Sequence, residues 1–239
     1  MNLVTYLRNG FLKFFGDIKI FKFPFFLLYD PGSYKVKGSE VRFVIDSLQK
    51  GDILVRGYSN YLDGVFIPGF FSHTGLYLGQ TRETDLMLPD VIKEKFYEGK
   101  QAVIHAMAEG VFMEDILTFC KCDYLVVLRR NAKTEPNFDL DKSFDVVYNK
   151  ALKNLGKGYD FQFDFSDIGN LSCTELVYVC NEQHMAEYLV KIKERRVLFK
   201  KRQVLLPDDF ITENFDIVFT SKSVKPSIME KILRENNNQ

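Results

Sequence analysis

Apolar residues recur three and four positions apart at Leu3, Tyr6, Leu7, Phe11, Phe14 and Phe15, a spacing that predicts one face of a helix. The run IKIFKFPFFLLYD then packs further aromatics between lysines, and the turn signature Asp30-Pro31-Gly32-Ser33 closes this extension. Val41 to Leu48 predicts a short helix, Gly51-Asp52 a turn, and Ile53-Leu54-Val55 a buried strand. Gly57 to Gly69 is rich in Tyr, Asn, Asp, Gly and Pro and reads as an aromatic-bearing loop, the usual material of a pocket rim. FSHTGLYLG alternates: His73, Gly75 and Tyr77 face one side of a strand, and Thr74, Leu76 and Leu78 the other. After a polar excursion over 80–100, Gln101 to Ala106 and Tyr124 to Arg129 predict two more strands, the latter Val-rich like a central one. Gly110 to Cys122 between them is expected to hold a turn and a short helix. Leu140, Phe144, Val147, Ala151 and Leu155 trace a helix stopped by Gly156 and Gly158. A second helical run is read over Ala186 to Arg195, a closing strand at Phe215 to Thr220, and a polar tail after Lys222 with a short helix in it.

Ser172 followed by Glu175, just ahead of Leu176 and Val177, is a capping-box helix start, and it makes Cys173 the first helical residue. A thiol there meets unsatisfied N–H groups and the positive end of the helix dipole, which predicts a thiolate near neutral pH. Cys173 is the candidate nucleophile. Cys180, seven residues on, is expected to be an inert core residue. Of the three histidines, His73 and His105 fall in short strands that can be neighbours in an antiparallel meander, so one imidazole could take the thiol proton while the other orients it. Taken singly, each could equally be a hydrogen-bonded core histidine. His184, in the polar bend Asn181-Glu182-Gln183, is read as structural.

Composition narrows the partners. The chain has 239 residues, enough for a substantial core without metal or disulfide staples. Lys+Arg and Asp+Glu balance at 32 each, which gives no electrostatic case for nucleic acid. Four irregularly spaced cysteines suit a reducing compartment rather than a disulfide framework. Lys13, Asp17, Lys19 and Lys22 interrupt the N-terminal apolar run, so neither a signal peptide nor a membrane span is expected. The extension instead packs on its own domain or lies on a membrane surface. The basic cluster Lys193 to Arg202 is a solvated face or, with the extension, an anionic-membrane contact. Cys120-x-Cys122 is a poor match to zinc spacings, and no Gly-rich phosphate loop occurs, so no metal and no cofactor is expected.

The order of Gly51-Asp52-Ile53-Leu54, Ser72-His73-Thr74-Gly75, a second strand bearing a polar residue, and Tyr159-Asp160 ahead of Ser172-Cys173-Thr174-Glu175-Leu176-Val177 resembles the circularly permuted papain-like hydrolases of the NlpC superfamily, in particular the YiiX-like branch. There the histidine precedes the cysteine. The resemblance spans Gly51 to Val179 and implies an α+β permuted papain-like fold, an antiparallel sheet packed against helices that include the cysteine-bearing one. It implies Cys173 as nucleophile, His73 as general base and His105 in the place of the third polar residue, often Glu in relatives. Tyr159 resembles a tyrosine lining the oxyanion site, where its hydroxyl and the Cys173 N–H would meet developing charge, with Ser72 and Asp160 beside the substrate.

On this reading residues 39–221 are the hydrolase domain, 1–38 the Phe-rich extension and 222–239 the polar tail. The expected function is cleavage of an amide or ester bond in a peptide, acyl-lipid or other small-molecule substrate through an acyl-enzyme. Two alternatives stay open, an acyltransferase and a non-catalytic binding module on the same fold. The expected location is cytoplasmic, peripheral to a membrane where the extension touches one.

Overall fold

The computed structural model describes residues 19–21, 26–28, 34–59, 68–82, 93–131, 133–135, 139–163, 165, 169–197 and 200–237. The predicted helical stripe over residues 3–15, the loop residues 60–67 and residues 83–92 of the polar excursion lie outside them. A two-stranded hairpin comes first, β1 (Lys19–Phe21) and β2 (Phe26–Leu28), followed by helix α1 (Gly38–Ser47). Then come β3 (Ile53–Gly57), β4 (His73–Thr81), β5 (Gly99–Met107), β6 (Gly110–Asp115), the single turn α2 (Ile116–Phe119), β7 (Tyr124–Arg129), α3 (Leu140–Asn154) and α4 (Cys173–Met185). A second hairpin, β8 (Lys193–Val197) and β9 (Lys200–Val204), precedes a 3-10 turn, β10 (Asp216–Thr220) and α5 (Pro226–Asn237).

The main sheet is antiparallel throughout, with strand order β10-β7-β3-β4-β5-β6. Period-two alternation sorts its residues into two cores. Ile53, Val55, Leu76, Leu78, Ile104 and Val126 face a layer made by Phe144, Val147 and Ala151 of α3 and Leu176, Val177 and Cys180 of α4. Leu54, Tyr77, Val103, Leu125 and Val127 face the other way, against Val44 of α1 and Ile116 and Phe119 of α2. Helices on both faces of an antiparallel sheet give an α+β architecture.

Asp52 of the Gly51-Asp52-Ile53-Leu54 motif is a clamp. Its buried carboxylate accepts from the Arg129 guanidinium at 2.8 and 2.7 Å and from the Gln49 N–H at 2.8 Å, tying the start of β3 to the end of β7. Two expectations are corrected. Residues 110–115, read as a turn, are the edge strand β6, because Val111, Met113 and Asp115 pair with Ala106, Ile104 and Ala102 of β5. The helix read over Ala186 to Arg195 is instead a turn leading into β8: Leu189 takes φ +58°, and Lys193 and Arg195 are drawn onto the buried Asp209 carboxylate. Those ion pairs come from residues fourteen or more positions away, which local periodicity does not register. Among the described residues no helix is long and apolar enough to cross a membrane.

Candidate active site

The cysteine-bearing helix begins as its sequence dictates. The Ser172 hydroxyl accepts from the Glu175 N–H at 3.3 Å, and the Glu175 carboxylate accepts from the Ser172 N–H at 2.7 Å. The same carboxylate accepts from the Phe165 N–H at 2.9 Å, which holds Phe165 at φ +56°. Cys173 is therefore the first residue of α4, and its sulfur is buried near the Thr74 and Thr174 N–H groups.

The thiolate expectation is corrected here. Burial raises the Cys173 thiol above its ordinary value, outweighing the nearby N–H groups that favour the anion, and the Glu175 carboxylate of the capping box pushes the same way. The resting group is a thiol. The capping residue that starts the helix also cancels part of the field the helix supplies.

The sheet is open where the sulfur sits. The β4–β5 ladder runs from Thr81↔Gly99 to Leu76↔Ile104, whereas β4 begins at His73 and β5 continues to Met107. Across this end His73 Nε2 lies 2.8 Å from His105 Nδ1, the rings meeting edge to face at 80°. Both rings lie against Phe119, on the α2 face of the sheet, and His105 also against Phe112. The cysteine helix packs on the opposite face. Sulfur and imidazole thus approach the open strand end from two sides, and the sulfur's contacts run to Thr74, the residue after His73, rather than to the ring.

Arg56, opposite His73 in the β3–β4 pairing, supplies a buried positive charge. Its guanidinium lies 4.1 Å from the Phe119 ring centroid, donates to the Phe119 carbonyl at 2.8 Å, and stands 3.6 Å from Glu114 Oε1. Glu114, on β6, is also 3.3 Å from His105 Nε2. Burial first and the Arg56 charge second hold both imidazoles well below their ordinary range, so they are neutral at pH 7. Burial pushes Glu114 up, with Arg56 opposing.

The other expected residues, Ser72, Tyr159 and Asp160, have contacts of their own. The Ser72 N–H donates to the Arg56 carbonyl at 3.1 Å, and its buried hydroxyl has no partner among the described residues. Tyr159 packs against Phe161 and Phe163 at 4.9 and 5.9 Å, one residue past the Gly158 carbonyl that accepts from the Leu171 N–H. Asp160 is buried, accepts from the Gln162 N–H at 2.7 Å, and its charge contributes to raising Glu175 to about 7. Sequence reading missed Thr74, Arg56, Glu114 and Asp208. Asp208 holds the loop before His73 by accepting from the Phe70 and Phe71 N–H groups at 2.8 Å each. The order of charges along β3 and β6 carried no signal, because their meeting depends on strand pairing.

Two features lie apart. Glu135, His184 and Glu187 bring ligand atoms within 4.8 Å of one another, a donor set able to hold a divalent ion. His184, read as part of a bend, is in the last turn of α4, with Nδ1 2.9 Å from Glu135, and Arg130 stands 3.9 Å from the same carboxylate. Eleven residues of helix put it about 16 Å along the axis from Cys173. Cys120 and Cys122 are buried in the α2-side core, where burial pushes the Cys120 thiol up to about 12. A cavity of about 550 Å³ lined by Phe70, Leu206, Asp208, Lys231, Ile232 and Glu235 adjoins the loop that leads to His73.

The family described as permuted papain-like amidase enzyme, YaeF/YiiX, C92 family, matches residues 47–221. Among solved structures the fold is similar to that of metalloprotein yiiX from Escherichia coli O157:H7, at 17% identity and a TM-score of 0.45, over 80% of this chain and 82% of that one. No curated protein matches the chain.

Proposed function

The chain belongs to the YaeF/YiiX family of permuted papain-like amidases, and from that premise we propose that it is a cysteine hydrolase in which Cys173 is the nucleophile, His73 the general base and His105 its orienting partner. The observation that carries the reading is the 2.8 Å contact between two neutral imidazoles at the open end of the β4–β5 ladder, beside the strand residue that touches the sulfur. A buried thiol with neutral imidazoles favours proton transfer at the moment of attack over a resting ion pair. The reading requires a side-chain movement that brings the sulfur and the His73 imidazole together from the two faces of the sheet.

In the reaction the thiol proton passes to His73 as sulfur bonds the carbonyl carbon of an amide or ester. The proton then goes to the leaving nitrogen or oxygen as its bond breaks. Water, deprotonated by His73, attacks the thioester, the carbon–sulfur bond breaks, and the thiol is restored. The Cys173 N–H and the Tyr159 hydroxyl are the proposed donors to the tetrahedral oxyanion, with Ser72 and Asp160 on the substrate side. Substrates are peptide or acyl-lipid bonds, and release to water makes the chain a hydrolase rather than an acyltransferase. Peripheral membrane contact through the N-terminal extension belongs to the same proposal.

Burial of the sulfur favours one second reading, a binding module on the same fold. Acyl-based activity probes with a peptidyl or a long-chain acyl group separate the two. Hydrolysis predicts labelling of the wild type that is abolished by Cys173→Ala and reduced at least about 100-fold by His73→Ala, the loss expected on removing a general base. Labelling that survives Cys173→Ala overturns the assignment, and absence of labelling in every chain supports the binding module.

A further inference from the structure

We propose that Glu114 is a positioning residue: through His105 it fixes the tautomer of the histidine pair so that the lone pair of His73 Nδ1 is the one left for the thiol proton. The inference rests on the hydrolase reading and deepens it. Among the described residues His105 Nε2 and Glu114 Oε1 are both buried and neither makes a hydrogen bond, while the two atoms face each other at 3.3 Å. A carboxylate oxygen only accepts, so the arrangement is favourable when His105 carries its proton on Nε2. His105 Nδ1 is then a lone pair, and the 2.8 Å contact requires His73 to donate from Nε2. His73 Nδ1 is left unprotonated.

The opposite tautomer pair puts a lone pair of His105 against the carboxylate and a proton on His73 Nδ1, which cannot then act as a base. The Arg56 guanidinium at 3.6 Å favours the Glu114 anion against the burial that disfavours it, and the Phe119 carbonyl and ring hold the guanidinium in place. The charged and titratable groups facing Glu114 are Arg56 on β3, His105 on β5, Asp115 on its own strand and Lys121 beyond α2. The arrangement does for this pair what a carboxylate behind a catalytic histidine does elsewhere, with one imidazole interposed.

The chain's three histidines make the test direct. Long-range proton–nitrogen spectra of the full-length protein labelled with 15N-histidine, assigned with His184→Gln and His73→Gln, report which ring nitrogen carries the proton without any turnover. Both His73 and His105 are expected as Nε2–H tautomers at neutral pH. Glu114→Leu removes the acceptor and is expected to shift His105 towards the Nδ1–H form and to lower acyl-probe reaction about 10-fold or more, whereas Glu114→Gln, which keeps a carbonyl oxygen, retains the wild-type tautomers. A wild-type spectrum showing His105 protonated on Nδ1 overturns the proposal, as does Glu114→Leu leaving tautomers and rate unchanged. If the spectra come out as expected and labelling survives Cys173→Ala, the assignment of the nucleophile fails, and Glu114 fixes the tautomers without serving proton transfer from Cys173.

Discussion

Gly75 lies two residues after His73 on β4, on the face that Phe119 covers, and its replacement by alanine tests the packing on which the site depends. A Cβ at this position would meet Phe119 Cε2 at 2.6 Å, Phe119 Cζ at 2.9 Å and Val103 Cγ1 at 2.9 Å, about 1 Å inside ordinary carbon contact. Phe119 cannot swing into solvent. It is fully buried, its ring lies under the Arg56 guanidinium, and its carbonyl accepts from the same side chain. Overpacking of this kind costs about 1–3 kcal/mol. Against it, Gly→Ala restricts the unfolded chain, which by itself stabilises by about 0.4–1 kcal/mol where the backbone is compatible. Gly75 is not among the positive-φ residues, so that gain is available, and the sign of the net effect decides between the two. We expect net destabilisation of about 1–2 kcal/mol, read by urea unfolding, or about 2–8 °C in the thermal midpoint. The displaced ring also contacts His73 and His105, so slower alkylation of Cys173 is expected at a pH where the protein remains folded. A midpoint unchanged or raised in the Gly75→Ala variant would show that the Phe119 cluster is not close-packed and refute the reasoning.

Two further outcomes follow from buried groups near the nucleophile. Cys180→Ala truncates a fully buried side chain in the α4–sheet core, and should cost about 1 kcal/mol in urea unfolding while leaving acyl-probe labelling unchanged. Glu175, raised to about 7 by burial and by Asp160, binds a proton more readily when folded than its ordinary value of 4.5 allows, so its contribution to stability is present below pH 4.5 and lost as pH rises towards 7. Glu175→Gln can keep the capping-box bond from the Ser172 N–H while giving up the one from the Phe165 N–H, and should flatten the change in thermal midpoint between pH 5 and 7.5 relative to wild type. The variant also removes a charge that disfavours the Cys173 thiolate, so its alkylation at pH 7 should be faster, and a slower rate would contradict the electrostatic account.

Much of the frame was written locally. The alternation in His73 to Leu78 assigned each side chain to its face of β4, and the Leu140 to Leu155 stripe gave α3 its sheet-facing residues. Ser172 and Glu175 placed the first residue of the cysteine helix, since a capping box satisfies donors within four consecutive residues. The adjacency of β4 and β5 needed only a meander, so the meeting of His73 and His105 could be anticipated.

What lay outside the sequence's reach was set by pairings between distant strands. Arg56 and Glu114 converge on His105 because β3 pairs with β4 and β6 with β5, and nothing within either segment marks its charge as buried. The basic run read as a continuing helix became β8 because Asp209 offered a buried countercharge that no periodicity foretells. The ionisation of Cys173 was decided in the same way. Its position at the helix start is a local fact, whereas its protonation depends on how completely the sheet, Thr74 and the capping carboxylate close around the sulfur, and desolvation in a packed interior outweighs the field of a helix end.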